Sequence, residues 1–427
     1  MSGAKARLAA AELLIIVLEE RRMLDEALGK SEAFNALIGP DRGFARAMAS
    51  TVLRYLGRLD SGLAPFLDRP IETATPPARA LLRIGAAQAW VMETPDHAVV
   101  GETVAAAKQW PRAQRATGFL NAVLRKVVAD RSEFDAAPAH AIWPEWLYED
   151  LSSSLGHDAA TALASAQMET PDIYLIPKNS NAADLAEQVD GAAVTPYAVK
   201  VDHTRNVAEI PGYEEGDWWV QDVAAALPAR LLDVKPGETV LDLCAAPGGK
   251  TMQLAASGAS ITAVDRSKPR LKRLKQNLWR TGFHGKIETV LADATQWSPP
   301  EPVDKILIDA PCSALGTLRR HPEGAFIKSA EDIARFPSIQ ARLLRHAAKW
   351  LKPGGTLLYC VCSPRPQEGQ AIVDAAIQDT GLTRLPIKKD EVPHFEAALN
   401  SEGGLLTLPT SSLKHDAFFI SRLRRET

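Results

Sequence analysis

Two short segments place cysteines where covalent chemistry could be done. ILIDAPCS, Ile306 to Ser313, carries Asp309 and Cys312, and LLYCVCS, Leu357 to Ser363, carries Cys360 and Cys362. A thiolate is a nucleophile, and an ordinary cysteine with a pKa of ~8.5 needs help to ionise. A lone cysteine is more often a small buried hydrophobe. Cys360 fits that description, because in an extended strand it shares a face with Cys362 while only Cys362 reaches the end. The fourth thiol, Cys244, opens a glycine-rich loop. No C-x-x-C pair occurs, so a zinc site is not expected, and the four cysteines are too few and too clustered for a disulfide framework. Reduced thiols in a cytosolic chain are the natural reading.

The loop belongs to VLDLCAAPGGKT, Val240 to Thr251. Pro247, Gly248 and Gly249 make a tight turn before a helix, where backbone can approach a ligand. A phosphate loop ending at Gly249-Lys250-Thr251 needs glycine at position 244, which is Cys244, and the G-x-G-x-x-G fingerprint is absent. A Rossmann-like loop for a smaller nucleoside ligand remains, against a plain glycine-rich turn that holds nothing. Asp265 ends the next strand candidate and Asp293 follows the third. A carboxylate at the first suits ribose hydroxyls, and one at the second suits an adenine amino group. Each alone reads equally as a helix cap or a solvated loop residue.

These residues need a scaffold. From about residue 216, short apolar runs (Thr239–Leu243, Ile261–Val264, Thr289–Leu291, Lys305–Ile308, Thr356–Val361) alternate with helical segments. That alternation predicts βαβ units and a parallel sheet. Ligands on such sheets sit beyond the carboxyl ends of the strands, where every motif above falls. DAFFISRLRR, Asp416 to Arg425, is predicted to add a last strand.

Residues 1–145 read as all-helical, with Ala- and Leu-rich segments at helical spacing such as ARLAAAELLIIVLEE. Residues 146–215 read as a small α+β connecting region: a helical stretch Glu145 to Met168, a strand Ile173 to Ile176 and a helix Asn181 to Val189. Residues 216–427 form the α/β domain. The 427 residues carry a net charge of −3, which gives no whole-chain signal for nucleic acid. The basic run Arg266 to Arg280, RSKPRLKRLKQNLWR, holds seven Lys or Arg and no acid; it reads equally as a solvated face or a phosphate contact. Arg319, Arg320 and His321 follow the DAPCS loop closely and are better placed to hold a nucleic-acid strand beside the cleft. The apolar run Leu8 to Leu18 contains Glu12 and lacks a cleavage site, and no stretch approaches ~18 uncharged apolar residues, so neither a signal peptide nor a membrane span is expected.

CAAPGGKT, DAPCS and the Cys-Ser segment before Pro364 resemble the Nol/Nop/Sun family of RNA cytosine-5 methyltransferases, in particular its bacterial RsmB-like branch, which acts on 16S rRNA. The resemblance spans the chain. DRGFA, VLRYLGRLD and GFLNAVLRK look like that branch's NusB-like helical RNA-binding domain, and GDWWVQD, Gly216 to Asp222, looks like the entry to its catalytic domain. It implies a multidomain protein, an all-α NusB-like domain followed by a Rossmann-like class I methyltransferase domain. By the same resemblance, Cys362 is the nucleophile that attacks cytosine C6, Cys312 assists product release, and Asp309 contacts the base. S-adenosyl-L-methionine is held by Cys244, Ala245, Ala246, Pro247, Gly248, Gly249, Lys250, Asp265, Asp293 and Asp309. The implied protein is cytoplasmic and monomeric, binds rRNA, and needs neither metal nor membrane. Two positions depart from the family pattern: Val361 replaces the usual Thr before the nucleophile, and Gln367-Glu368-Gly369-Gln370 replaces Glu-Asn-Glu, with Glu368 retaining part of that role. Three alternatives stand beside this reading: a tRNA substrate, a non-catalytic ribosome-assembly factor, and the DNA cytosine methyltransferase arrangement, in which the Pro-Cys at Pro311-Cys312 supplies the nucleophile.

Overall fold

A computed structural model describes residues 3–179, 181–409 and 413–427. The chain divides into two compact units, Met1–Thr170 with Leu318–Ala330, and Pro171–Thr317 with Glu331–Thr427.

The first unit is helical. Its core is formed by helices Gly3–Glu19, Pro40–Leu63, Pro76–Trp90, Asp96–Gln109 and Thr117–Ala129. The alanines at 4, 6, 9, 10 and 11 are fully buried, so small side chains let the first helix pack closely on its neighbours. Pro40 and Pro76 start helices at the position where a missing N–H is harmless. A bidentate pair from Arg83 to Asp60 (2.9 and 2.7 Å) ties two helices. The helical stretch expected over Glu145 to Met168 is two helices, Glu145–Leu155 and His157–Met168, broken at Gly156, whose φ of +87° favours glycine.

The second unit holds two sheets. The smaller is antiparallel, with strands β1 (Ile173–Pro177), β2 (Ala192–Thr195), β3 (Ala198–Val201) and β4 (Trp218–Val220) in the order β2-β3-β1-β4. The larger contains β5 (Thr239–Leu243), β6 (Ser260–Asp265), β7 (Ile287–Leu291), β8 (Val303–Asp309), β9 (Leu351–Val361), β10 (Leu382–Arg384), β11 (Leu405–Thr407) and β12 (Phe418–Arg425). Its order is β10-β12-β9-β8-β5-β6-β7, with β11 beside β12. Strands β5 to β9 run parallel, and β12 lies antiparallel to β9. Ile306, Leu307 and Ile308 are all fully buried, because helices cover both faces of a parallel sheet. Leu307, Leu358 and Cys360 face one core while Ile306, Ile308, Leu357, Tyr359 and Val361 face the other, the two-residue period of strands. The strand order reverses at β5, between β6 and β8, so the loops leaving these strands open a crevice at their carboxyl ends.

Candidate active site

The crevice is a cavity of about 300 Å³. Its walls include Cys244 after β5, Asp265 at the end of β6 and Arg266 just past it, Asp293 after β7, Asp309 at the end of β8 and Cys312 beyond it, and Cys362 after β9. One cavity therefore joins the carboxylates to three thiols, two of them, Cys312 and Cys362, at its far end. Ala245, Ala246, Pro247, Gly248, Gly249 and Lys250 are not on its wall.

The glycine-rich turn shapes the site from behind. Gly248 has φ of +105° and precedes the helix Gly249–Ala256. Asp265 is buried, and its carboxylate accepts the N–H groups of Ala246 (3.1 Å) and Ser267 (2.8 Å). Arg270 lies 3.7 Å from that carboxylate and donates to the Ala246 carbonyl. These bonds fix Asp265 at the cavity wall and leave lone pairs for hydroxyl donors. Asp293 binds Thr295 through Oδ1 only (2.9 Å to N, 2.8 Å to Oγ1). The Thr295 N–H holds the Asp293 carboxyl below its ordinary value, and Oδ2 has no partner among the described residues. Burial pushes the Cys244 thiol up to about 12, so it serves as a wall, not a nucleophile.

At the other end, the Sγ atoms of Cys312 and Cys362 lie 3.3 Å apart. The hydrogen bond with Cys362, reinforced by burial and by Glu368, raises the Cys312 pKa well above its ordinary value, so Cys312 keeps its proton. Cys360 is fully buried, and burial with the nearby Asp309 charge keeps it protonated as well. The Lys250 ammonium donates to Asp309 Oδ2 at 2.9 Å. Burial opposes the Lys250 charge, but Asp309 and the neighbouring thiols outweigh it and raise its pKa. Lys250 thus stands against Asp309 as its counter-charge, away from the cavity.

Glu368, expected to retain part of the Glu-Asn-Glu role, is the group that joins the two cysteine loops. It is completely buried. Its Oε2 accepts the Ser313 N–H (2.8 Å) and Gln340 Nε2 (3.1 Å), and its Oε1 accepts the Ser363 hydroxyl (2.9 Å) and faces Arg365 Nη1 at 3.4 Å. Ser313 and Ser363 follow the two site cysteines directly, so one carboxylate ties both cysteine loops. Gly316 adds a second tie, since its N–H binds the Cys362 carbonyl at 3.0 Å. A Cβ at 316 would come within 2.1 Å of the Ala417 carbonyl oxygen. The departures from the expected family pattern have local reasons. Val361 is fully buried in the apolar core, and a Cβ at Gly369 would meet the Phe419 ring at 2.6 Å.

Two sets of expected RNA contacts are partly structural. Arg319 is buried in the helical unit, and its carbonyl accepts from Arg54 at 2.8 Å; His321 sits 3.7 Å from Glu323. Arg319 is therefore a packing residue, corrected from an RNA contact. In the basic run, Arg280 donates to the carbonyls of Tyr213 (2.6 Å) and Trp218 (3.1 Å). The Gly216 turn of the GDWWVQD segment packs beneath it: a Cβ there would lie 2.1 Å from the Arg280 carbonyl oxygen.

Comparison with known proteins adds a second line. Residues 229–424 match the model of the 16S rRNA methyltransferase RsmB/F family, and residues 4–129 match the NusB family. The chain is 36% identical over 396 residues to Ribosomal RNA small subunit methyltransferase B of Xanthomonas campestris pv. campestris, covering 89% of each chain. It is 33% identical over 442 residues to the protein of the same name from Pseudomonas putida, covering 98% of each. The crystal structure of PH0851 superimposes with a TM-score of 0.79 at 24% identity over 99% of both chains, which shows a shared fold. Among the described residues, no helix is long and apolar enough to cross a membrane.

Proposed function

Because the chain belongs to the 16S rRNA methyltransferase RsmB/F family, and is an RNA methyltransferase with a helical NusB domain and a Rossmann-like catalytic domain, we propose that it methylates carbon 5 of a cytosine in small-subunit rRNA through a covalent Cys362 adduct. The observation that carries this reading is the 3.3 Å pair of thiols on the wall of one cavity shared with Asp309, Asp265 and Asp293. The protein is proposed to work in the cytoplasm.

The cavity fits S-adenosylmethionine. Asp265 is held with lone pairs toward the cavity for ribose hydroxyls, and the unpartnered Oδ2 of Asp293 suits an exocyclic amine. When bound, S-adenosylmethionine supplies an electrophilic methyl group. The chain's own residues do the rest. Carbon 5 of cytosine is a poor nucleophile, and addition of the Cys362 thiolate to carbon 6 turns the ring into an enamine whose carbon 5 is reactive. Cys312 keeps its proton, which argues against it as the attacking group, and its S–H lies 3.3 Å from the Cys362 sulfur, within reach to donate a hydrogen bond. Asp309 accepts a hydrogen bond from the exocyclic amine, or from N3 once the adduct carries a proton there, and Lys250 behind it offsets negative charge that builds on the ring. Water in the open crevice takes the carbon 5 proton as the carbon–sulfur electron pair returns to Cys362, and the S–H of Cys312 at 3.3 Å assists by donating a hydrogen bond to the thiolate that leaves. Both faces of the base must be reached, so the cytosine leaves its stack; this is least costly in unpaired RNA.

The test is incubation of the purified protein and S-adenosylmethionine with 16S rRNA, and separately with tRNA, followed by nucleoside mass spectrometry and bisulfite sequencing. The reading predicts 5-methylcytidine in 16S rRNA. 5-Methylcytidine in tRNA alone would move the substrate, and a different methylated nucleoside would overturn the chemistry.

A further inference from the structure

The helix Lys268–Arg280 carries a surface that the proposed mechanism does not use. Leu271, Leu274 and Leu278 bury one face. Lys268, Lys272, Lys275 and Trp279, spaced i, i+4, i+7 and i+11, share an exposed stripe about 100° around the helix from that face. Trp279 is 69% exposed, and its ring lies 4.2 Å from that of His284. A tryptophan left in water forfeits more burial energy than almost any other side chain, so its exposure needs a reason.

The charge is equally uneven. From Arg266 to Ile287 there are eight Lys or Arg and no acid, in a chain whose net charge is −3. A helix face that is merely solvated mixes both signs. Arg270 and Arg280 are spent on backbone carbonyls within the fold. Lys268, Lys272, Arg273 and Lys275 form no ion pair among the described residues. The stripe has a direction. Arg266 and Arg270 line the cavity at the start of the helix, and Trp279 lies about 16 Å further along the axis, at 1.5 Å per residue.

We propose that this stripe is a docking track for an unpaired segment of the substrate RNA: the lysines take successive phosphates, and a base next to the methylated nucleotide's strand stacks on Trp279. Unpaired RNA is the occupant because a row of cations suits a phosphate backbone, while an exposed aromatic ring suits a base that has no partner. The proposal rests on the RNA-methylating reading of the adjoining cavity and adds where the strand lies.

The experiment measures binding of full-length protein to a fluorescent single-stranded RNA oligonucleotide across a salt series, and methylation of 16S rRNA by the same preparations. Trp279→Ala should weaken binding about tenfold with an unchanged salt slope, and Trp279→Phe should restore most of it. Lys272→Gln combined with Lys275→Gln should weaken binding and flatten the slope of log affinity against log salt by about 1.4, at ~0.7 per lost phosphate contact. Both variants should raise KM for RNA while kcat at saturating RNA stays within about twofold and thermal midpoints stay unchanged. RNA affinity, salt slope and KM all unchanged, in variants of a wild type that methylates RNA, would overturn the track and leave the enzymatic reading standing. A wild type that neither binds nor methylates RNA would instead overturn the reading on which the track rests.

Discussion

The Glu368 carboxylate accepts the backbone N–H of Ser313 at 2.8 Å, across from its own loop. The same carboxylate holds the Ser363 hydroxyl, so the loops carrying Cys312 and Cys362 are referenced to one buried group. Such a group is costly to disturb, because its several donors all lose a charged acceptor together. Glu368→Gln should destabilise the protein by about 3 kcal/mol in denaturant titration. It should also change the rate at which iodoacetamide alkylates Cys362, which a purely global loss of stability would not do under folding conditions. Unchanged alkylation and unchanged stability would remove Glu368 from its positioning role.

Among the described residues, Lys250 is the one cation paired with Asp309. Lys250→Met should lower kcat by about a hundredfold, the range seen when one electrostatic partner of a reacting group is removed. Because Asp309 is a third exposed, the accompanying loss of stability should be modest, about 1–3 kcal/mol. Lys250→Arg should recover part of the rate. A Met variant with full kcat would show that Asp309 needs no counter-charge.

Asp265 is fixed by two backbone N–H groups before any ligand arrives. In Asp265→Asn the amide presents its own N–H groups to those donors and to ribose hydroxyls. Calorimetry should find S-adenosylmethionine affinity reduced by about 10- to 100-fold. RNA affinity should be unchanged. Equal S-adenosylmethionine affinity in the variant would move the ribose site elsewhere.

Asp242 gives a pH prediction. It is fully buried, and burial raises its carboxyl to about 7 despite the 2.6 Å bond from Thr251, with Asp309 adding to the rise. In the unfolded chain it ionises near ~3.9. Between those values the unfolded chain binds fewer protons than the folded one, so this group's contribution falls as pH rises from about 4 to about 7 and is flat above. The integrated effect is at most about 4 kcal/mol. Asp242→Asn should therefore gain stability relative to wild type on going from pH 5 to pH 8. A pH-independent difference between the two proteins would place the Asp242 carboxyl at an ordinary value.

Much of this architecture is legible in the sequence, and the failures have physical causes. Thr239–Leu243 appears with the predicted bounds as β5, since a short apolar run with an acid and a glycine turn behind it has few alternatives. The added strand over Phe418–Arg425 is also present. Strands β10 and β11 are three residues each and carry no periodic signal, so only pairing with β12 defines them. Cys312 and Cys362 stand out because thiols at strand ends are rare. Gly316 and the inward turn of Lys250 do not, and Glu368 is marked by the resemblance but not as a tie between the cysteine loops, because these roles depend on contacts between residues far apart in sequence. Arg319 misleads for the converse reason: its neighbours in sequence belong to the crevice, while its neighbours in space are helices of the first unit.

The division of labour between the two sulfurs can be read directly from the protein itself. Cys312→Ala and Cys362→Ala are each incubated with S-adenosylmethionine and 16S rRNA, denatured, and resolved by gel and intact-mass spectrometry. The account predicts a stable protein–RNA adduct with Cys312→Ala, carrying one methylated cytosine on Cys362, and none with Cys362→Ala. An adduct formed by Cys362→Ala and absent from Cys312→Ala would contradict it, and would assign the attack to the thiol after Pro311.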